Sequence, residues 1–444
     1  MWQDWASTVK THLGMSAKDI TMDGGPLRVG TLFSGTDAVI EGLCGMFGCD
    51  TIEHCWSCDC AWQSREFIKA NNPPPHIYKD IGDVLTLQPI PCDGCKKTAG
   101  CLAIHEQQVH VVVLGFPCQP FSQMNASRFK ADDIMTCRQA NHFGNARLYM
   151  ETTPTPPWVV ILENSSGILK RSTKATGAQA MDQVMLGEYG LLHSKRYATR
   201  FFVVSAASLG LPHRRDRVWF VCLLKGMFNI DVMFTEMEKM FASLDGLIKP
   251  FPWQHFLVME PMPPPSKRSK LRAMVAGSHE KSDTIRKHLG LPTRGSAQGK
   301  PWSSQAPEAV LTMMQPRQWD VVDVAMLVAE RAAGAEGVAQ LVVDISQSVD
   351  RSPWFFNGGV PTPHTGSVLF SPHQEELFSL ESMFQLQGWE SHKVNIPDSL
   401  SDADVRTLIG NMMAVPVAAA VVATVLKSKV EGTTSDDDDD NDIE

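Results

Sequence analysis

Three things are scarce in this sequence of 444 residues: long apolar runs, a surplus of basic charge, and the marks of export. The longest apolar stretch, Met412 to Leu426, is fifteen residues with Pro416 inside it. A bilayer-spanning helix needs about 20 uninterrupted apolar residues, so no membrane partner is expected. The opening residues Met1-Trp2-Gln3-Asp4-Trp5 have neither the basic nor the apolar region of a secretory signal. Eleven cysteines, an odd number without such a signal, fit an intracellular chain with reduced thiols. No internal repeat is visible, which argues against solenoids and propellers. The formal charge of −9 is concentrated at one end. Residues 436–444 hold seven acids and no base, and without them the charge is −2. The body is therefore near neutral, and a local basic face for nucleic acid is compatible with it.

What is present is a large, soluble, core-forming chain. Apolar residues make up 43% and charged residues 20%, enough for one large domain plus a smaller one. Residues 28–225 alternate strand-like and helical patterns. Strands are predicted at Arg28–Phe33, Thr51–Ser57, Val109–Leu114, Val159–Glu163, Arg200–Ser205 and Arg217–Leu224, with helices between several of them, such as Asp37–Met46 and Trp62–Asn71. That is the pattern of an α/β fold with a doubly wound, mostly parallel sheet. The character changes after Leu224. Residues 226–374 are richer in Pro, Ser, Gly and Trp and predict a smaller, irregular domain, with a proline-rich and then basic linker at 261–270. Helical periodicity returns at Gln374–Leu386 and at Asp402–Leu426. The expected division is an N-terminal extension (1–27), a catalytic domain (28–225), a second domain (226–374), a C-terminal return to the first (375–430) and an acidic tail (431–444).

The most informative segment is Gly115-Phe116-Pro117-Cys118-Gln119-Pro120-Phe121-Ser122. It follows the apolar run Val109-His110-Val111-Val112-Val113-Leu114, so a buried strand ends in a turn that presents one cysteine. Pro117 and Pro120 restrict the backbone on both sides of the thiol. Open α/β sheets bind ligands at the carboxyl ends of their strands, where this cysteine falls. It reads as a nucleophilic thiolate or, alternatively, as an inert cysteine buried in a tight turn. Thr31-Leu32-Phe33-Ser34-Gly35-Thr36-Asp37 is a strand entering a glycine turn and then a helix, which lets a cofactor approach the backbone. Asp59 closes the next strand at the interval where an acid meets ribose hydroxyls; it reads equally as the cap of the following helix. Asp80 and Ile81 follow a third extended segment. Glu163-Asn164 ends another apolar strand, with Glu163 placed either to protonate a bound ring or simply to cap. Arg215 and Arg217 share one face at the start of a strand, as an anion clamp or a solvated basic edge.

In this order along the chain, the segments Leu32–Gly35, Asp59, Asp80-Ile81, Pro117-Cys118-Gln119, Glu163-Asn164, Arg215-Asp216-Arg217, Glu381 to Gly388 and Gly410-Asn411 resemble the DNA (cytosine-5) methyltransferase family. The resemblance covers about residues 28–225 and 375–426. It implies a Rossmann-like, class I S-adenosylmethionine-dependent methyltransferase fold with a smaller target-recognition domain at 226–374. It implies methyl transfer from S-adenosylmethionine to carbon 5 of cytosine in double-stranded DNA, on a base flipped out of the duplex. By the same resemblance Cys118 adds to carbon 6, Glu163 serves ring nitrogen 3, Arg217 holds the ring carbonyl and Arg215 supports the site or a phosphate. Phe33 and Gly35 line the cofactor, Asp59 binds its ribose, Asp80 and Ile81 meet its adenine, and Asn411 reaches its methionine end. The chain departs from the family pattern at Asp37-Ala38, where further glycines are usual, at Met412, at His213 where Gln is common, and at Ser165 where Val is common.

Two other readings follow from the same scaffold. One is a transferase acting on RNA cytosine, as a tRNA-directed branch of the family does; that branch's Cys-Phe-Thr signature is absent from this sequence. The other is a non-catalytic homologue that binds DNA or a partner methylase. Cys92-x2-Cys95-x5-Cys101-x3-His105 has a spacing zinc accepts, with Cys55 and Cys58 upstream as alternatives. A metal-free cysteine loop is the expectation there. The run Lys267-Arg268-Ser269-Lys270-Leu271-Arg272 reads as a nuclear import patch, a phosphate-contacting loop or a solvated linker. With the acidic tail it tilts the expected location to the nucleus, or to the cytoplasm in a bacterial host. No chromatin-reader segment is evident, so recruitment calls for a partner or sits in residues 226–374.

Overall fold

The computed structural model describes residues 4–22, 24–95, 97, 100–118, 121, 141–170, 180–188, 190–257, 278–292, 302–311 and 314–432. The proline-rich and basic linker, residues 433–444 of the acidic tail and Gln119-Pro120 lie outside them.

The centre is a seven-stranded sheet. Its strands are β1 (Leu27–Leu32), β2 (Ile52–Cys58), β3 (His76–Tyr78), β4 (Val111–Gly115), β5 (Val159–Ser165), β6 (Tyr197–Ser205) and β7 (Asp216–Leu224), in the spatial order β3-β2-β1-β4-β5-β7-β6. β1 to β5 are parallel, and β7 runs antiparallel between β5 and β6. This is the mostly parallel sheet of the class I methyltransferase fold, and the sequence pattern predicted its order of elements. Of the seven strands, β7 alone runs against the rest.

The continuous apolar runs are explained by burial on both faces. Successive residues feed opposite cores. Val111, Val113, Val159, Ile161, Trp219 and Val221 face one cluster. Val112, Leu114, Val160, Leu162, Val218 and Phe220 face the other. The first cluster is covered by the helices Ala38–Phe47, Ile230–Leu244 and Val415–Gly432, which pack on one another. The second is covered by Asn141–Thr152 and Ala180–Leu186.

The alanine- and valine-rich helix Val415–Gly432 is the apolar run of the C-terminal segment. Val417 through Val425 are all buried in the protein core. Pro416 lies in its first turn, where a missing N–H costs nothing. The helix sits close to Ala38–Phe47. A Cβ on Gly42 would lie 2.7 Å from the Val415 carbonyl oxygen and 2.8 Å from Ala419 Cβ.

A second, four-stranded antiparallel sheet is formed by β8 (Val342–Asp344), β9 (Trp354–Phe355), β10 (Leu369–Ser371) and β11 (Glu376–Leu377). Its core joins Val343 and Phe370 to Val321, Val322 and Ala325 of the helix Pro316–Ala339, which breaks at Gly334. Trp253 Nε1–H donates to the Gln340 carbonyl at 3.0 Å, and Val360 N–H donates to the Pro212 carbonyl at 2.8 Å, tying this unit to the main one.

Three expectations are corrected. The helix predicted over Gln374–Leu386 begins only at Leu380, because Glu376 and Leu377 pair with β10 and the Ser379 side chain caps the helix by accepting from Ser382 N–H. The pattern over Asp402–Leu426 is two helices, Asp402–Asn411 and Val415–Gly432. The irregular stretch does not start at Leu224: Met233, Phe234, Met237 and Phe241 of the helix Ile230–Leu244 still pack into the first core of the main sheet.

Candidate active site

A parallel sheet delivers the residues after each strand to one edge. Phe33 and Gly35 follow β1, Asp59 follows β2, Asp80 follows β3 and Cys118 follows β4, while Glu163 lies near the end of β5. Because β7 is antiparallel, its amino end reaches that same edge and brings Arg215 and Arg217 with it.

Cys118 is half-buried three residues beyond β4. Two contacts fix its turn. Phe121 N–H donates to the Cys118 carbonyl at 2.9 Å, and Asn164 Nδ2 donates to the Phe116 carbonyl at 3.0 Å. Asn164, which the sequence reading left without a task, thus holds the cysteine loop against β5. Glu163 pairs in register with Gly115 on one side and Trp219 on the other. Arg217 stands opposite Ser165, on the same face as Glu163, and its Nε donates to Glu163 Oε1 at 2.8 Å. Burial pushes the Glu163 carboxyl above the usual range, and Arg217 and Arg215 pull it back in part. Burial also raises the Cys118 thiol. The Glu163 charge raises it further, and Arg217 and Arg215 oppose both. The Glu163 charge therefore raises the Cys118 thiol, and the two arginines oppose the rise of both groups.

Arg215 does something different from its neighbour two residues on. Its Nη1 donates to the Pro363 carbonyl at 3.0 Å, and its Nη2 to the carbonyls of Gly410 at 2.9 Å and Met412 at 2.7 Å. A buried guanidinium here satisfies carbonyls left open at the end of the helix Asp402–Asn411, where a cation is favoured. His213, also buried, donates from Nε2 to the Leu386 carbonyl at 2.8 Å. Its surroundings hold it neutral: burial and Arg215 lower it to about 3. The Leu386-Gln387-Gly388 segment is tied in further by Val415 N–H, which donates to the Gln387 carbonyl at 2.8 Å.

At the other end of the site, Phe33, Gly35 and Asp37 all have positive φ, at 50°, 59° and 54°. Asp37 adopts this left-handed backbone because it is held. Asp37 is buried and accepts from Thr31 Oγ1 at 2.7 Å and Ser57 Oγ at 2.6 Å, with His54 Nε2 at 3.5 Å from Oδ2. Asp is among the few residues that tolerate this conformation. The departure at Asp37 is thus compensated by Thr31, Ser57 and His54, none of which the sequence singled out. Asp59 receives Gly35 N–H at 2.8 Å on Oδ2 and Ala61 N–H at 2.8 Å on Oδ1. It makes no cap bond to the next helix, Trp62–Asn71. Burial raises Asp59 to about 6 despite those two amides. Asp80 is exposed and accepts from Gly82 N–H at 2.7 Å, Ile81 is buried, and Asn411 is exposed at its helix end. Met413, another residue the sequence reading passed over, lines a cavity with Leu32, Ser34, Asp37, Ala38 and Val113.

These residues fit S-adenosylmethionine. A carboxylate oxygen has two lone pairs, and each Asp59 oxygen spends one on an amide, leaving acceptors for ribose hydroxyls. The half-buried Phe33 offers an aromatic face that suits an uncharged nucleoside.

No curated protein matches the chain. Solved structures similar to it include the Dnmt2 methyltransferase of S. pombe (14% identity, 90% of this chain and 98% of that one, TM-score 0.44). A candidate DNA modification methyltransferase encoded within an E. coli prophage aligns at 16% identity over 91% and 99%, with a TM-score of 0.49. A mutant DNMT2 of Spodoptera frugiperda aligns at 13% identity over 90% and 99%, with a TM-score of 0.43. The profile described as C-5 cytosine-specific DNA methylase matches residues 27–427. The chain belongs to that family, whose members move a methyl group from S-adenosylmethionine to carbon 5 of cytosine.

Proposed function

We propose that this protein methylates cytosine in double-stranded DNA through a covalent bond between Cys118 and carbon 6 of a flipped-out base. The observation that carries the reading is the Glu163–Arg217 pair, 2.8 Å apart, beside the Cys118 turn that Asn164 fastens to the same strand.

Carbon 5 of cytosine is a weak nucleophile. The Cys118 thiolate adds to carbon 6, and the electrons of the 5,6 double bond move onto carbon 5. Burial raises the Glu163 carboxyl, which favours its giving a hydrogen bond or a proton to ring nitrogen 3 as that charge develops. Arg217, already aimed at Glu163, donates to the ring's carbonyl oxygen and keeps the carboxyl oriented. S-adenosylmethionine, when bound, supplies the electrophilic methyl. Solvent takes the carbon 5 proton; the electrons of that carbon–hydrogen bond re-form the 5,6 double bond as the carbon–sulfur bond breaks and Cys118 leaves as thiolate, while nitrogen 3 gives its proton back to Glu163. Phe33, Gly35, Asp59, Asp80, Ile81 and Asn411 hold the methyl donor, with Asp59 on the ribose hydroxyls, Asp80 and Ile81 at the adenine and Asn411 at the methionine end. Arg215 acts as a positioning residue, since its bonds go to main-chain carbonyls. The part of residues 226–374 beyond the helix Ile230–Leu244 provides target recognition. DNA is favoured over RNA because the Cys-Phe-Thr signature of the tRNA-directed branch is absent.

The test is incubation with labelled S-adenosylmethionine and either duplex DNA or tRNA, beside Cys118→Ala. Label on DNA that disappears in the variant is the expected result. Label on tRNA alone replaces the DNA reading, and label on neither points to the non-catalytic homologue. A covalent adduct on 5-fluorocytosine DNA, mapped to the Cys118 peptide, is expected as well.

A further inference from the structure

A second group of reactive side chains lies outside this site. Cys92, Cys95 and Cys101 converge next to the edge strand β3, and the imidazole that joins them is His76, not His105. The four ligand atoms all lie within 4.8 Å of one another. His76 Nδ1 is 3.2 Å from Cys101 Sγ and 3.8 Å from Cys92 Sγ. A tetrahedral zinc ion with bonds of about 2.3 Å to sulfur and about 2.0 Å to nitrogen needs ligand-to-ligand edges of roughly 3.5–3.8 Å, the same scale. His105 points elsewhere: its Nε2 donates to the Val84 carbonyl at 2.6 Å. Cys55 and Cys58 are buried in β2 and do not join the group.

Polar donors surround the sulfurs. Ile77 N–H donates to Cys92 Sγ at 3.4 Å. Tyr78 Oη lies 3.2 Å from Cys101 Sγ and accepts from Ile104 N–H at 3.2 Å, which leaves its own proton for the sulfur. Hydrogen bonds from such outer groups fix and tune metal ligands. The backbone is shaped before any ion arrives. The loop pairs with β3 through Tyr78 and Cys92, and closes on itself through Ile90 and Cys101. A Cβ on Gly94 would lie 2.5 Å from the Pro75 carbonyl oxygen, so the Cys92-to-Cys95 turn sits directly on the residue before β3. Cys95 is half-exposed, so burial of an apolar side chain does not account for its place.

We propose that His76, Cys92, Cys95 and Cys101 bind one zinc ion as a closed, structural site that staples the 90–101 loop to the edge strand β3. Three thiolates and an imidazole select a soft or borderline metal over magnesium or calcium. Four protein ligands leave no open position, so the ion is structural and not catalytic. β3 leads directly to Asp80-Ile81, and the Tyr78 carbonyl accepts from Asp59 N–H at 3.1 Å. The staple therefore steadies the edge of the sheet next to the cofactor end.

The test uses the full chain without an affinity tag, prepared in reducing buffer from zinc-supplemented cells. Elemental analysis is expected to give one zinc per chain. An organic mercurial that caps thiols should release it, and cobalt in its place should give the intense thiolate-to-metal absorption and the visible bands of a tetrahedral site. Cys101→Ser should lose the metal, and Tyr78→Phe should weaken zinc affinity about 10- to 100-fold. His105→Ala should retain one zinc. Should Cys101→Ser fail to fold, the cobalt spectrum of the unaltered chain decides. Wild-type protein with no zinc and no tetrahedral cobalt spectrum, a Cys101→Ser variant that keeps its zinc, or a disulfide among Cys92, Cys95 and Cys101 under these conditions would each overturn the proposal.

Discussion

At the scale of single residues, Cys118, Glu163 and Arg217 are coupled by charge, and the coupling has a sign. Burial holds the Cys118 thiol up and Glu163 adds to this, while Arg217 lowers both groups. Glu163→Gln removes a negative charge, so the pH midpoint for alkylation of Cys118 should move down even as methyl transfer falls by about 10²- to 10⁴-fold. Arg217→Met removes the opposing positive charge, so the midpoint should move up. Iodoacetamide labelling resolved to the Cys118 peptide across pH measures both, and shifts in the same direction would refute the coupling. Asp59 yields a second prediction. With its carboxyl raised to about 6 by burial, protonation below that pH takes away a ribose acceptor. Affinity for S-adenosylmethionine should therefore fall as pH drops through about 6, and in Asp59→Asn the dependence should flatten; calorimetric titration at several pH values reads this. Arg215 and Arg217 also show what a motif leaves open. They are chemically identical and two residues apart, yet one meets a carboxylate and the other three carbonyls.

At the scale of elements, those three carbonyls join the start of β7 to the end of the helix Asp402–Asn411 and to the chain at Pro363. Hydrogen bonds to a charged group contribute about 1.5–3 kcal/mol each, and unsatisfied buried carbonyls carry a similar penalty. Arg215→Met should accordingly cost at least about 3 kcal/mol in urea unfolding, with methyl transfer falling alongside it. An unchanged urea midpoint would show that these bonds do not hold the elements together. The strands were legible because buried parallel strands read as unbroken apolar runs. The short strand at Glu376–Leu377 was not, since its two residues gain their conformation from pairing with Phe370 and Ser371, not from local preference. The break between the last two helices was equally hidden, for the apolar pattern runs on from one to the other.

At the scale of the whole molecule, the helix Val415–Gly432 is an interior member of the main domain although it lies near the end of the chain. Val417, Ala418, Ala419, Val421, Val422 and Leu426 are all at most 2% exposed. Full burial of a valine or leucine side chain contributes about 1.5–3 kcal/mol, so the sum over this helix is comparable with the whole net stability of a domain, about 5–15 kcal/mol. A chain ending at Asn411 should be insoluble or unfolded by circular dichroism, and should recover helix content and methyl transfer when a peptide of residues 412–432 is added. A soluble, fully active truncated chain would contradict this architecture. The sequence by itself determined the order of strands and helices, and with it which residues reach the ligand edge: Gly35, Asp59, Asp80, Cys118 and Glu163 each stand at a strand end, and parallel strands all end on one side. That information is local, written in apolar runs and the turns that stop them. Tertiary structure alone decided the partners: Arg217 rather than Arg215 for Glu163, His76 rather than His105 for the three cysteines, Thr31, Ser57 and His54 for Asp37. Each choice depends on strand direction and register, which are set by contacts between segments far apart in the chain and leave no periodic trace in either one.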